Sequence, residues 1–164
     1  MSGWVRSKPA RTMALVLATM LGGCGIKPPA AKLTFKPPDG WHAGPGLGSY
    51  SQSWISPNNP RKMLLLYHWG EYVDVEDLPD KMPILFDHVD ARRLTRICNQ
   101  KGFVQEAAVI TGTGTWAGIK SNVMMLVTDA DSQGYFGIYI NPVGYPSNDE
   151  AQASLLTMCA IDGK

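Results

Sequence analysis

The strongest constraint on this chain is a series of short apolar runs, each about the length of a strand and each closed by turn residues. Tyr50 to Ile55 sets Tyr, Gln and Trp against Ser, Ser and Ile, and Pro57-Asn58-Asn59-Pro60 then turns the chain. Lys62 to Trp69 is the most apolar stretch after the first 32 residues and reads as a central strand. Strand patterns return at Thr95–Cys98, Val104–Thr111, Lys120–Thr128 and Tyr135–Asn141, with Asp129–Gly134 as a hairpin connection. Leu33–Lys36 and Trp41–Ala43 add two short strands around the turn Pro37-Pro38-Asp39-Gly40. Strands joined by connections this short are antiparallel.

Two segments read differently. Met82, Leu85, Phe86 and Val89 follow a helical spacing behind a cluster of acids, which predicts a helix from Pro79 or Asp80 to Arg93. Its early acids and late Arg92 and Arg93 suit the helix dipole. Ser147-Asn148-Asp149-Glu150 matches a capping box and predicts a second helix to about Met158. The expected fold class is therefore α+β: an antiparallel β-sheet with a central helix and a C-terminal helix packed on it.

The N-terminus carries an address. Arg6, Lys8 and Arg11 precede the apolar run Met13–Leu21, and the first 23 residues hold no acid. That is the layout of an export signal. The run is too short to span a bilayer, which takes about 18 or more apolar residues. Leu21-Gly22-Gly23-Cys24 resembles the lipobox of bacterial lipoproteins. The resemblance implies that the chain is cut before Cys24 and that its thiol carries diacylglycerol, with the new amine usually acylated. Two acyl chains meet the requirement for stable anchoring. A plain export signal with an incidental cysteine is the alternative. Gly25 after the cysteine, by the same resemblance, favours the outer membrane in a cell that has two. The expected division is residues 1–23 as signal peptide, 24–32 as lipid anchor and tether, and 33–164 as one domain.

Removal of residues 1–23 leaves 141 residues, enough for a domain that folds alone. Twelve basic and fourteen acidic residues remain, a charge near −2, which argues against a nucleic-acid partner. Cys98 and Cys159 remain as well. In an exported domain such a pair commonly bridges, and closing a loop of about 60 residues stabilises by roughly 4 kcal/mol. Two buried thiols are the alternative. Two lone cysteines do not make a zinc site, and neither a metal nor a cofactor is expected.

The stretch Leu33 to Gly44, with Pro37-Pro38-Asp39-Gly40-Trp41 at its centre, resembles the opening of PsbP/Mog1-like domains. The resemblance spans about Lys32 to Cys159 and implies a binding or assembly scaffold with no shared catalytic residues.

The search for chemistry is brief. His42, His68 and His88 show no metal-ligand spacing, and no G-x-S-x-G elbow is present. Thr111 to Gly118 reads TGTGTWAG, which fits neither phosphate-binding fingerprint and instead predicts a twisted hairpin with glycine at its bends. The acids from Glu71 to Asp80 lack the pattern of a calcium loop. Tryptophan and tyrosine suit binding surfaces, although they also fill cores. Trp41 and Trp116, flanked by glycine and loop residues, are the candidates for an exposed surface that meets an envelope protein or glycan. The expected role is a lipid-anchored, cell-envelope binding or assembly module whose membrane partner is reached through Cys24. An envelope hydrolase and a small-ligand carrier are the alternatives.

Overall fold

The computed structural model describes residues 32–45, 50–69, 86–100, 103–130 and 133–161. The signal, Cys24 and most of the tether lie outside the described residues, as do residues 80–85 of the expected central helix.

The chain order is β1 (Lys32–Thr34), β2 (His42–Ala43), β3 (Tyr50–Ser56), β4 (Asn59–Trp69), β5 (His88–Gln100), β6 (Phe103–Trp116), β7 (Ile119–Ala130), β8 (Gln133–Pro142), α1 (Asp149–Leu155) and β9 (Cys159–Ile161). Seven strands form one sheet in the order β2-β3-β4-β8-β7-β6-β5, and β1 pairs with β9 in a second, two-stranded sheet. Every pairing is antiparallel.

The central strands are apolar because both of their faces are covered. Leu64 and Leu66 point to one face of β4 and Leu65 to the other, following the period of two. Met124 and Leu126 on β7 join the first face, with Tyr135 and Tyr139 on β8. Val123, Met125 and Val127 join the second, with Phe136, Ile138 and Ile140. Helix α1, β1 and β9 pack on the first face through Ala151, Leu155, Cys159, Ala160 and Leu33. Gly137 lets the helix approach: a Cβ there would lie 2.8 Å from Leu155 Cδ2 and 3.2 Å from Met158 Sδ.

Two expected helices become one short one among the described residues. Residues 88–93 are the first half of β5, paired with β6 from His88↔Thr113 onward, and not the end of a central helix. β5 is an edge strand whose residues from Asp90 to Leu94 are exposed, so it lacks the alternation that marks a half-buried strand. The spacing of Phe86 and Val89 then imitates a helix, while pairing with the 14-residue β6 decides the outcome. The C-terminal helix is also shorter than expected. Its N-cap is Asn148, not Ser147, and the Ala151 N–H donates to Asn148 Oδ1 at 3.0 Å. It ends at Leu155 because the chain must return to lay β9 against β1.

The glycine-rich stretch forms the β6–β7 hairpin. Its two-residue turn is Ala117-Gly118, with φ of 48° and 77°. Two positive φ values define a type I′ turn, which strongly favours Asn-Gly. Ala117 is thus held in a left-handed conformation that costs an L-residue about 1 kcal/mol. Ala117→Asn is expected to stabilise the fold by about 1 kcal/mol, read as a rise of a few degrees in Tm. An unchanged or lower Tm would contradict this.

Candidate functional site

Cys98 and Cys159 are joined by a disulfide, with Cα atoms 4.7 Å apart. It ties β9 to the edge strand β5 and so fastens the two sheets together. Beside it, the side chain of the buried Gln105 accepts from the Ala160 N–H at 3.2 Å and donates to the Asp129 carbonyl at 2.8 Å.

The tryptophan expectation needs correction. Trp41 is buried, with 8% of its surface exposed, and packs against Tyr139 at a ring separation of 6.4 Å. Trp116 is half-buried against the second core face. Flanking glycines signal a bend in the backbone, not the direction of the side chain. The large apolar side chains that are exposed include Leu94 on β5 and Val143 and Tyr145 in the β8–α1 loop. The histidines do not converge: His42 is on β2 and His88 on β5, at opposite edges of the sheet. His68, on β4, stacks on Tyr135 and hydrogen-bonds Gln133.

The structure instead draws attention to a cavity of about 320 Å³ on the helix-covered face. Its floor comes from two rows that run across three strands. Thr111, Met124 and Tyr139 form one row, and Asn122 and Asn141 belong to the next. These rows lie where the apolar residues of β7 and β8 give way to polar ones. Ser147 and Gln152, at the start of α1, supply one wall, and Gln152 Nε2 donates to Ser147 Oγ at 2.8 Å. Asp90 closes another side, set at an irregularity where the β5–β6 register shifts between Val89 and Ala91.

Two polar residues of this cavity are only 2% exposed. Asn141 spends its Nδ2 on the Tyr145 and Pro146 carbonyls, at 3.2 and 3.3 Å, and its Oδ1 has no partner. The Tyr139 phenol has the Asn148 backbone nearby but no hydrogen bond of normal geometry. Burial pushes its pKa above the ordinary 10.0; the Asn148 backbone opposes this, and the Asp149 carboxylate reinforces it. Four buried side-chain nitrogen or oxygen atoms lack a partner among the described residues, and these two share one cavity. An unpaired buried polar group costs about 1–3 kcal/mol, which marks the cavity as a place where something polar is accommodated. No sequence motif announces it. The one visible signal is that Asn122 and Asn141 interrupt otherwise apolar strands.

A second hollow of about 300 Å³, lined by Lys36, Pro37, Pro38 and the outer side of α1, is more open.

Among solved structures, a protein from Bacteroides thetaiotaomicron is similar to this chain with a TM-score of 0.53 and 14% sequence identity. The match covers 82% of this chain and 50% of the other, so this chain spans about half the length of that protein. LpqN, involved in cell envelope biogenesis of Mycobacterium tuberculosis, is similar with a TM-score of 0.48 and 12% identity, over 79% of this chain and 85% of LpqN. At 14% identity the likeness to the Bacteroides protein is one of fold alone. No protein-family model and no curated protein matches the sequence.

Proposed function

We propose that this chain is a lipid-anchored protein of the cell envelope whose folded domain is a non-catalytic binding module. The observation that carries the location is Leu21-Gly22-Gly23-Cys24, placed directly behind a basic segment and a nine-residue apolar run. In this reading residues 1–23 are removed, Cys24 takes the lipid, and residues 24–32 tether the domain. Gly25 directs it to the outer membrane where there are two. The cavity supports the binding role. Its polar lining is mainly amides and hydroxyls, which make directional hydrogen bonds but do not exchange protons near neutral pH.

The test is the intact mass of the membrane-fraction protein after expression of the full-length chain in a bacterium. The expected mass starts at Cys24 and carries a diacylglyceryl group, usually with a further acyl chain. Reduction is expected to add about two mass units, from the disulfide. A mass that starts at Met1 would end the export argument. A clipped chain without lipid would move the protein to a soluble exported compartment.

A further inference from the structure

We propose that the cavity between β6, β7, β8 and the start of α1 binds a neutral, polyhydroxylated ligand about the size of one sugar ring. The proposal takes up the binding half of the function above and holds whether or not Cys24 is lipidated.

Size comes first. At roughly 30 Å³ per water molecule, the cavity's 320 Å³ holds about ten waters, a space that suits one pyranose. Small-molecule sites begin near this volume, and this one is open on one side.

Hydrogen-bond chemistry selects the ligand class. Asn141 Oδ1 can only accept, whereas the Tyr139 hydroxyl can donate and accept. Both side chains stand on the same face of β8, two residues apart, which separates their Cα atoms by about 7 Å. A ring with several hydroxyls can donate to Asn141 and accept from Tyr139 at once. An ammonium ion can only donate and would leave Tyr139 without an acceptor. Thr111, Asn122, Ser147 and Gln152 extend the set with groups that both donate and accept.

Charge excludes anions. Asp90 is the charged residue among those lining the cavity, and Asp149 lies close enough to influence Tyr139. Lys62 is committed elsewhere, its Nζ donating to the Pro146 carbonyl at 2.8 Å. A carboxylate or phosphate would meet repulsion, whereas hydroxyls can donate to Asp90. The Met124 side of the floor offers an apolar surface for the C–H face of a sugar. Ordered water could also occupy the site, and a titration separates the two cases.

The experiment uses the mature protein with its disulfide intact, labelled with ¹⁵N and held in a zwitterionic, sugar-free detergent. The side-chain amide signals of Asn122, Asn141 and Gln152 report directly on the cavity. The probes are D-glucose, N-acetyl-D-glucosamine and methyl α-D-glucoside as neutral rings, D-gluconate as an anion and D-glucosamine as an amine. A neutral ring is expected to move these signals saturably, with a dissociation constant in the millimolar range (about 1 mM). Binding of the methyl glycoside would identify a glycan terminus as a source, whereas binding of the free sugars alone would identify a monosaccharide.

Tyr139→Phe keeps the ring and removes only an oxygen without a partner, so the fold is expected to persist with an unchanged or higher Tm. Neutral-sugar binding should fall about tenfold. Asn122→Ala, at an exposed position on β7, is a second variant that should weaken binding without threatening the core. The proposal is overturned if no neutral ring moves the signals through about 100 mM, far past the millimolar range. It is equally overturned if both variants bind as well as the parent. Saturable shifts with gluconate or glucosamine alone would keep the binding module but reject this ligand class.

Discussion

The double variant Cys98→Ala, Cys159→Ala is expected to lose about 4 kcal/mol of unfolding free energy. The bridge spans 61 residues, so its removal frees a long loop of the unfolded chain. In urea the midpoint should fall by roughly 2 M with little change in slope. A local effect should accompany the global one. β1 and β9 form a two-stranded sheet, which is marginal without support. Besides the disulfide, the Ala160–Gln105 hydrogen bond helps to hold it to the large sheet. Backbone amides of β1 and β9 should therefore exchange faster before the rest of the protein loosens. Cys98 also has a positive φ of 59°, at an irregularity of β5. Cys98→Gly with Cys159→Ala should consequently be more stable than the double alanine variant by about 1 kcal/mol. A midpoint shift below about 0.5 M would mean that the bridge constrains the unfolded chain far less than its loop length requires.

Leu155→Ala is expected to cost about 3 kcal/mol. Helix α1 has seven residues, too few to persist without tertiary contacts. It is held by Ala151, Ser154 and Leu155, which face the sheet and are buried. Leu155 fills the space over Gly137, a position where even one added carbon would crowd it. Shortening Leu155 opens a void that Gly137 cannot fill. Urea denaturation measures the loss, and amide exchange at Ala151 and Gln152 shows whether α1 opens first. Because Ser147 and Gln152 form a wall of the cavity, the variant should also weaken ligand titrations more than Asn122→Ala does. A loss below about 1 kcal/mol would show that the helix settles into the vacated space.

The large strands were legible because they are long and half or fully buried. β3, β4, β6, β7 and β8 all contain the segments their patterns predict. β5 was misread over residues 88–93 because an edge strand exposed on both sides carries no period of two. The capping pattern located the start of α1 to within a residue but not its length, since β9 claims residues 159–161. Trp41 was misplaced for a related reason. Its glycine neighbour governs the turn, while its own position against Tyr139 depends on β8, nearly a hundred residues further along the chain.

What is written locally in this chain is the leader with its lipobox-like end, the positions of the buried strands and the presence of two cysteines able to bridge. Each depends on neighbouring residues: charge beside an apolar run, alternation along a strand, a turn between strands. The cavity depends on residues that are distant in sequence. Asn122 and Asn141 meet because β7 and β8 pair in that register, and Asp90 joins them from β5 on the far side of β6. Whether a polar atom ends up buried and without a partner is set by what packs over it, here the start of α1 and the loop before it. That is a property of the assembled layers, because no single segment holds both the orphaned atom and its cover.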